Sequence, residues 1–405
     1  MSEYSATIEW LFKRLPMFQR QGGAAYKMDL SRTEALCAHL GHPEKALRVI
    51  HIAGTNGKGS LSHMWAAALQ QHGYTTGLFT SPHLKDFRER IRINGIPISE
   101  EHVVEWVDKN RRFLEDSGMS FFEMNVGMAL DIFQEEKVDF AVLEVGMGGR
   151  LDSTNIVDPE LCVITNISMD HQAYLGNSRA QIAREKAGII KKGVPVLIGE
   201  SDEEVRPVFE EIADERGAPL FFAESMDVPD WPIALKGSYQ EKNRRTFLAS
   251  TQLFSSIGWK ADLLRKSLSE GIVQSGLRGR WEILSESPLT IADTGHNEAA
   301  VRLIVAQLKS TTKKNWHVVW GMAEDKDISG ILKLLPVEWT YYWCRPDVPR
   351  GLDANKLALK AKALGLNGSV QPDVNRAVSD AQSQCDEDEG VFIGGSTFVV
   401  AEVLD

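Results

Sequence analysis

The chain has 405 residues, 43% of them hydrophobic and 25% charged, with a formal net charge of −11. That acidic balance argues against wholesale binding to nucleic acid or a membrane surface, which needs a dominant basic face, and leaves room for small anions at a local positive site. The length predicts two domains, and four scattered cysteines (Cys37, Cys162, Cys344, Cys385) without zinc-ligand spacing read as reduced thiols.

Residues 1–16 interleave Glu3, Glu9, Lys13 and Arg14 with apolar side chains and so lack the form of a signal peptide. No run of about 18 apolar residues is present to span a bilayer, so the expected address is the cytoplasm. Short runs rich in β-branched residues predict strands at 48–53, 76–80, 140–145, 161–167 and 194–198. Helix-period segments at 60–72, 99–117, 125–136 and 178–190 alternate with them, which is the pattern of βαβ units and a parallel sheet.

The first strand runs into His51-Ile52-Ala53-Gly54-Thr55-Asn56-Gly57-Lys58-Gly59-Ser60, a glycine-rich loop followed by a helix start. Glycines let successive backbone N–H groups turn inward around an anion, and the helix N-terminus adds its positive end. Gly54, Thr55, Asn56, Gly57, Lys58, Gly59 and Ser60 are therefore the candidate ATP-phosphate residues, with Lys58 reaching the terminal phosphates. The spacing departs from the general phosphate-loop pattern. Gly59 separates the lysine from Ser60, the residue that pattern would assign to magnesium.

The strand at 140–145 ends in Glu144, where ligands sit in open α/β sheets. A carboxylate there suits magnesium, a hard cation; the alternative is an ion pair with Arg150. The glycine-dense run Gly146-Met147-Gly148-Gly149-Arg150-Leu151-Asp152-Ser153-Thr154-Asn155 follows. After the next strand come Thr165-Asn166-Ile167-Ser168-Met169-Asp170-His171, in which His171 can ligate metal with Asp170 orienting it.

A second alternating series has strands at 289–292, 317–320, 340–343 and 391–393, with helices at 298–310 and 354–364. The boundary is expected within 275–288, giving domains 1–281 and 282–405.

Several motifs follow in order: 51–60, Thr80-Ser81-Pro82-His83-Leu84, Glu89-Arg90-Ile91 with Asn94-Gly95, 144–155, Asp170-His171 and Glu185-Lys186-Ala187-Gly188. Beyond the boundary come Arg278-Gly279-Arg280, Asp293-Thr294-Gly295-His296-Asn297, Asp325-Lys326-Asp327 and Gly394-Gly395-Ser396. Over nearly its whole length the chain thus resembles the bifunctional folylpolyglutamate synthase/dihydrofolate synthase family of the Mur ligase superfamily.

The resemblance implies an N-terminal phosphate-loop ATPase domain of Mur ligase type and a smaller C-terminal Rossmann-like α/β domain. It also implies ATP-dependent ligation of L-glutamate to dihydropteroate or a folate through an acyl phosphate. By the same resemblance Ser81, Glu144 and His171 hold magnesium, Ser81 being favoured over Ser60, with two ions expected. Lys186 would be carbamylated, Asn243, Arg280 and Asp293 would contact ATP, and Lys186, His171, Lys58 and His296 would form the catalytic group. Ser120, Phe122, Leu151, Asp152 and Ser153 would meet the acceptor, although the aromatics at 121–122 read equally well as core. A monomer is expected. Two stretches depart from the family: Glu298 stands where it usually has proline, and Gln19–Met28 differs from its common pterin-side sequence. The alternatives are a cell-wall Mur-type ligase or an ATP-driven switch module.

Overall fold

The β-branched runs of the N-terminal half become the middle of one sheet in the computed structural model, which describes residues 2–17, 29–324 and 327–404. Its strands are β1 (Val49–Ala53), β2 (Thr76–Phe79), β3 (Ile91–Ile93), β4 (Ile96–Pro97), β5 (Phe140–Glu144), β6 (Leu161–Ile164), β7 (Val196–Ile198) and β8 (Leu220–Phe222), in the order β4-β3-β2-β5-β1-β6-β7-β8. β1 is flanked on both sides by parallel partners, β5 and β6, and every residue of these three strands is buried. Strands covered on both faces need apolar side chains throughout, which is why they read as unbroken apolar runs.

The sheet is mixed rather than parallel: β3 pairs antiparallel with β2, and β4 with β3. Helices Glu100–Ser117 and Phe121–Glu135 start on Ser99 and Ser120, whose side chains accept from the amides of His102 and Glu123. The second helix therefore begins four residues before its expected start, because Ser120 and Glu123 form a reciprocal capping box. Likewise the helix after the glycine loop runs Lys58–Gln71 rather than starting at Ser60, so its N-terminus lies directly behind Gly57.

Among the described residues, 2–234 and 240–277 form one compact unit, and 235–239 with 278–404 form another. The second unit has β9 (Glu282–Glu286), β10 (Leu289–Ala292), β11 (Trp316–Trp320), β12 (Thr340–Trp343), β13 (Gly368–Val370) and β14 (Gly390–Gly394), in the order β13-β12-β11-β14-β10-β9. Its ladders are parallel except where β9 returns antiparallel to β10. Trp316, Trp320, Tyr341, Trp343 and Phe392 fill its core. Among the described residues no helix is long and apolar enough to cross a membrane.

Candidate active site

Because β1, β2, β5 and β6 run parallel, the residues that follow them emerge at one edge of the sheet. Gly54 leaves β1 at φ 144° and Gly57 sits at φ 85°, both in conformations that favour glycine. Sterics impose the same choice. A Cβ on Gly54 would lie 1.8 Å from the Thr165 hydroxyl oxygen, and one on Gly57 would lie 2.3 Å from Asn243 Oδ1.

The segment after β6 splints the loop. Thr55 N–H donates to Asn166 O (2.9 Å), Asn56 N–H to Asn166 Oδ1 (3.1 Å), and the Thr165 hydroxyl to Asn56 O (2.6 Å). The Lys58 ammonium folds back onto the carbonyls of Gly54 and Thr55, 3.1 Å from each. Gly59 lies in the first turn of the helix. Ser60 is buried and its hydroxyl accepts from Gln240 Nε2 at 3.1 Å, so this serine ties two helices together at the place where the general pattern would put magnesium. Asn243 is buried beside Gly57 and donates to Gln240 Oε1.

Lys186 lies in the helix Arg179–Ala187, only 5% exposed, and its amine donates to Gly54 O at 2.8 Å. Burial, assisted by the neighbouring Lys58 cation, pushes its pKa down from 10.5 to about 7, against the pull of Asp170 and Asp152. Two glycines allow the helix to come this close. A Cβ on Gly149 would stand 2.7 Å from Lys186 O, and one on Gly188 would stand 2.3 Å from Arg150 Cβ. The Gly-Met-Gly-Gly-Arg and Glu-Lys-Ala-Gly motifs are thus two halves of one packing contact, reinforced by Arg150 N–H donating to Glu185 O and by the Arg150–Glu185 ion pair at 2.9 Å. Arg150 therefore pairs with Glu185 and not with Glu144, contrary to the alternative weighed from sequence.

Glu144, 5% exposed, ends β5 and accepts from Ser81 N–H at 3.1 Å. Buried Arg90 interacts electrostatically with it, and Arg90 Nε donates to His83 Nδ1 at 2.7 Å. The His83 proton therefore resides on Nε2, and burial together with Arg90 holds its pKa well below the imidazole value. His171 has φ 50° and caps the short helix Gln172–Leu175. Its amide donates to Asp170 Oδ1 at 2.8 Å, while its Nε2 stands 4.0 Å from the same oxygen. Of the three side chains, the Ser81 hydroxyl and the Glu144 carboxylate are the hard oxygen donors that a divalent ion such as magnesium takes, and the His171 imidazole offers a nitrogen. Glu144 already faces the Arg90 guanidinium and the Ser81 amide, and its carboxylate is the hardest donor of the set.

The proposed acceptor residues divide. The Ser120 hydroxyl is occupied by its capping box, and Phe121 is buried against Phe12 and Phe87. Phe122 is half-buried beside Phe79, with its ring against Gly146 just past β5, where a Cβ would meet Phe122 Cζ at 2.4 Å. Asp152 is buried and accepts from Met147 N–H and from the amide and hydroxyl of Thr154. Burial nonetheless raises its pKa. Ser153 is buried in the turn that Asp152 caps, and Leu151 is half-buried.

In the second unit Asp293 follows β10. It accepts from Tyr239 OH (2.5 Å), Trp281 N–H (2.8 Å) and Gly295 N–H (2.8 Å), and burial raises its pKa while Arg280 opposes the rise. The Arg280 guanidinium donates to Gly279 O and the Thr294 hydroxyl. His296 Nδ1 is 3.0 Å from Thr294 O, and Asn297 caps the helix Glu298–Ser310. Sequence reasoning missed Tyr239, Gln240 and the splinting role of Thr165–Asn166, and it quoted Arg90 within a motif without giving it a role. The order of polar residues after β6 was the one signal for the splint. Residues 19–28, where pterin contacts were in question, and Asp325-Lys326 lie outside the described residues; Asp327 caps the helix Ile328–Leu332.

Two family models match the chain: the Mur ligase middle domain over residues 52–260, and the glutamate ligase domain of Mur ligases over 279–397. The dihydrofolate synthase/folylpolyglutamate synthase of Bacillus subtilis is 32% identical over 99% of this chain and 98% of its own. That of Escherichia coli is 32% identical over 93% and 91%. Among solved structures, E. coli FolC in complex with DHPP and ADP superposes with a TM-score of 0.89 at 30% identity, covering 99% of this chain and 97% of that one. A bifunctional folylpolyglutamate synthase/dihydrofolate synthase with Mn, AMPPNP and L-glutamate bound gives 0.86 at 30% identity, covering 100% and 97%.

Proposed function

The chain belongs to the dihydrofolate synthase/folylpolyglutamate synthase family of Mur ligases, and from that premise we propose how its own residues carry out the family's ATP-dependent addition of glutamate. It is an ATP-dependent ligase of folate metabolism that uses a divalent metal. The loop from Gly54 to Ser60, with the N-terminus of the helix Lys58–Gln71, holds the ATP phosphates, and Lys58 neutralises them. Asn243, Arg280 and Asp293 serve the nucleotide, with Arg280 matched to phosphate geometry.

Ser81, Glu144 and His171 hold magnesium, two ions being bound in all; a bound ion supplies positive charge to the transferring phosphoryl group. Lys186 is the site of the carbamate. Its neutral amine attacks CO2, an N–C bond forms as one C–O π bond opens, and one proton leaves to solvent, turning a neutral group into an anion beside Lys58. The acceptor carboxylate, from dihydropteroate or a reduced folate, attacks the γ-phosphorus and ADP departs. The glutamate amine then attacks the acyl carbon, phosphate leaves and the amine proton passes to solvent. Phe122 and Leu151 offer apolar surface to the acceptor, while Ser120, Asp152 and Ser153 shape its loops. His296 belongs to the same catalytic group. Positioning and charge do most of this work, with no protein nucleophile in the transfer.

The observation that carries the reading is the buried Lys186 amine bonded to the first carbonyl of the phosphate loop. The test is phosphate release by purified protein with Mg-ATP, L-glutamate and either dihydropteroate or a reduced folate. Release should require all components, and no stimulation by either acceptor would contradict the proposal. The enzyme acts as a monomer, which sedimentation checks.

A further inference from the structure

At the opposite edge of the second sheet from Asp293, a group of side chains plays no part in the chemistry above. His317 is the second residue of β11, Glu389 immediately precedes β14, and Cys385 follows the helix Val374–Ser383. Among the described residues, these three bring an imidazole nitrogen, a carboxylate oxygen and a thiol sulfur within 4.8 Å of one another. The His317 side chain is 6% exposed and that of Glu389 18%.

The hydrogen bonds around His317 fix the direction in which it presents its lone pair. The Tyr342 hydroxyl donates its single proton to Gln384 Oε1 at 3.0 Å. The Tyr342 oxygen lies 2.9 Å from His317 Nδ1, so it must accept there, and Nδ1 carries the proton. In the neutral ring Nε2 is then a bare lone pair, and it faces Glu389 Oε2 at 2.9 Å. Two lone pairs at that distance repel unless a cation lies between them or a proton sits on the ring. Glu389 is itself held in place by Asp386 N–H on Oε2 and by Asn315 Nδ2 on Oε1.

We propose that His317 Nε2, Glu389 and Cys385 form a binding site for a zinc-like divalent cation, with Tyr342 orienting the histidine from behind. The donor set of one nitrogen, one sulfur and one oxygen suits Zn2+, and water would take the fourth position. Zinc bonds of about 2.0–2.3 Å place ligand atoms within roughly 4 Å of each other, so the side chains need only sub-ångström adjustment. The Cys385 thiol gives up its proton to solvent on coordination. A hydrogen-bonded partner on the far ring nitrogen is the usual support for a metal-bound histidine. His317 is far in sequence from Cys385 and Glu389, so no local motif announces the site; the parallel pairing of β11 with β14 brings His317 beside Glu389.

The test is a Co2+ titration of tag-free, full-length, metal-free protein in excess Mg2+, followed by Zn2+ competition against a chromophoric chelator. One equivalent of Co2+ should bind with a near-ultraviolet thiolate charge-transfer band, and Zn2+ should displace it. Cys385→Ser should remove the band and weaken Zn2+ binding at least tenfold without changing the melting of the metal-free protein. Tyr342→Phe should keep the band but weaken binding by roughly 10–100-fold. Absence of the band, or equal Zn2+ affinity in wild type and Cys385→Ser, would show that only a proton occupies the site and would overturn the proposal.

Discussion

Replacing Lys186 with methionine should separate stability from catalysis, because the side chain proposed to serve the reaction is costly to bury. In the folded protein its pKa is about 7, against 10.5 ordinarily. At pH 8 the amine is then about nine-tenths neutral, compared with under one-hundredth for an ordinary lysine. Between those pKa values the unfolded chain binds more protons than the folded one, so wild-type stability rises with pH, by at most about 1.4 kcal/mol per pH unit. The penalty is full below pH 7 and is relieved as the pH climbs toward 10.5.

Water entry and local relaxation reduce the measurable part to roughly 2–3 kcal/mol. Methionine keeps the length of the side chain without the charge, and Gly54 O retains the Lys58 ammonium at 3.1 Å. In bicarbonate-free buffer, urea unfolding should find Lys186→Met more stable than wild type by about 2 kcal/mol at pH 6.5, with the gap closing toward pH 9. Glutamate-dependent turnover should be nearly abolished while ATP binding persists. A pH-independent gap, or a variant less stable at pH 6.5, would refute the reasoning; so would unchanged turnover for the carbamate.

Gly54→Ala should lose nucleotide binding and melt at lower temperature, since its Cβ would strike the Thr165 hydroxyl; a nucleotide-binding isotherm beside a thermal melt checks both. Ser81→Ala should raise the Mg2+ concentration needed for half-maximal activity, whereas Ser60→Ala, which loses one buried bond to Gln240, should cost about 1 kcal/mol of stability and leave the Mg2+ dependence alone. Arg280→Ala should raise the KM for ATP and lower the melting temperature modestly, because the guanidinium also offsets the buried Asp293 carboxylate and donates to the buried Thr294 hydroxyl; kinetics beside a thermal melt check both. Arg150→Ala breaks a largely exposed ion pair with Glu185, and denaturant unfolding should show a loss of no more than about 1 kcal/mol.

The central strands were legible because burial on both faces demands apolar runs, as in Phe140-Ala141-Val142-Leu143. The edge strands were not. β4 is two residues long and ends in proline, and β9 reads Glu-Ile-Leu-Ser-Glu, half polar on an open edge. Glycines and lysine in the phosphate loop announced an anion site, but nothing local shows that Thr165 fills the space a Cβ on Gly54 would need. The depressed pKa of Lys186 is equally a tertiary property. Its helix is strongly polar, and only the glycines at 149 and 188 let it descend into the site. Ser120 illustrates the converse: Ser-x-x-Glu at 120–123 was visible as a string, yet its capping geometry makes the serine a helix-start residue before it can be anything else.

The most direct test of the account is to supply the acceptor with 18O in its carboxylate and measure the phosphate released during glutamate-dependent turnover. Transfer through an acyl phosphate predicts one 18O in phosphate for each glutamyl product formed. Unlabelled phosphate, or phosphate released without glutamylated product, would contradict it.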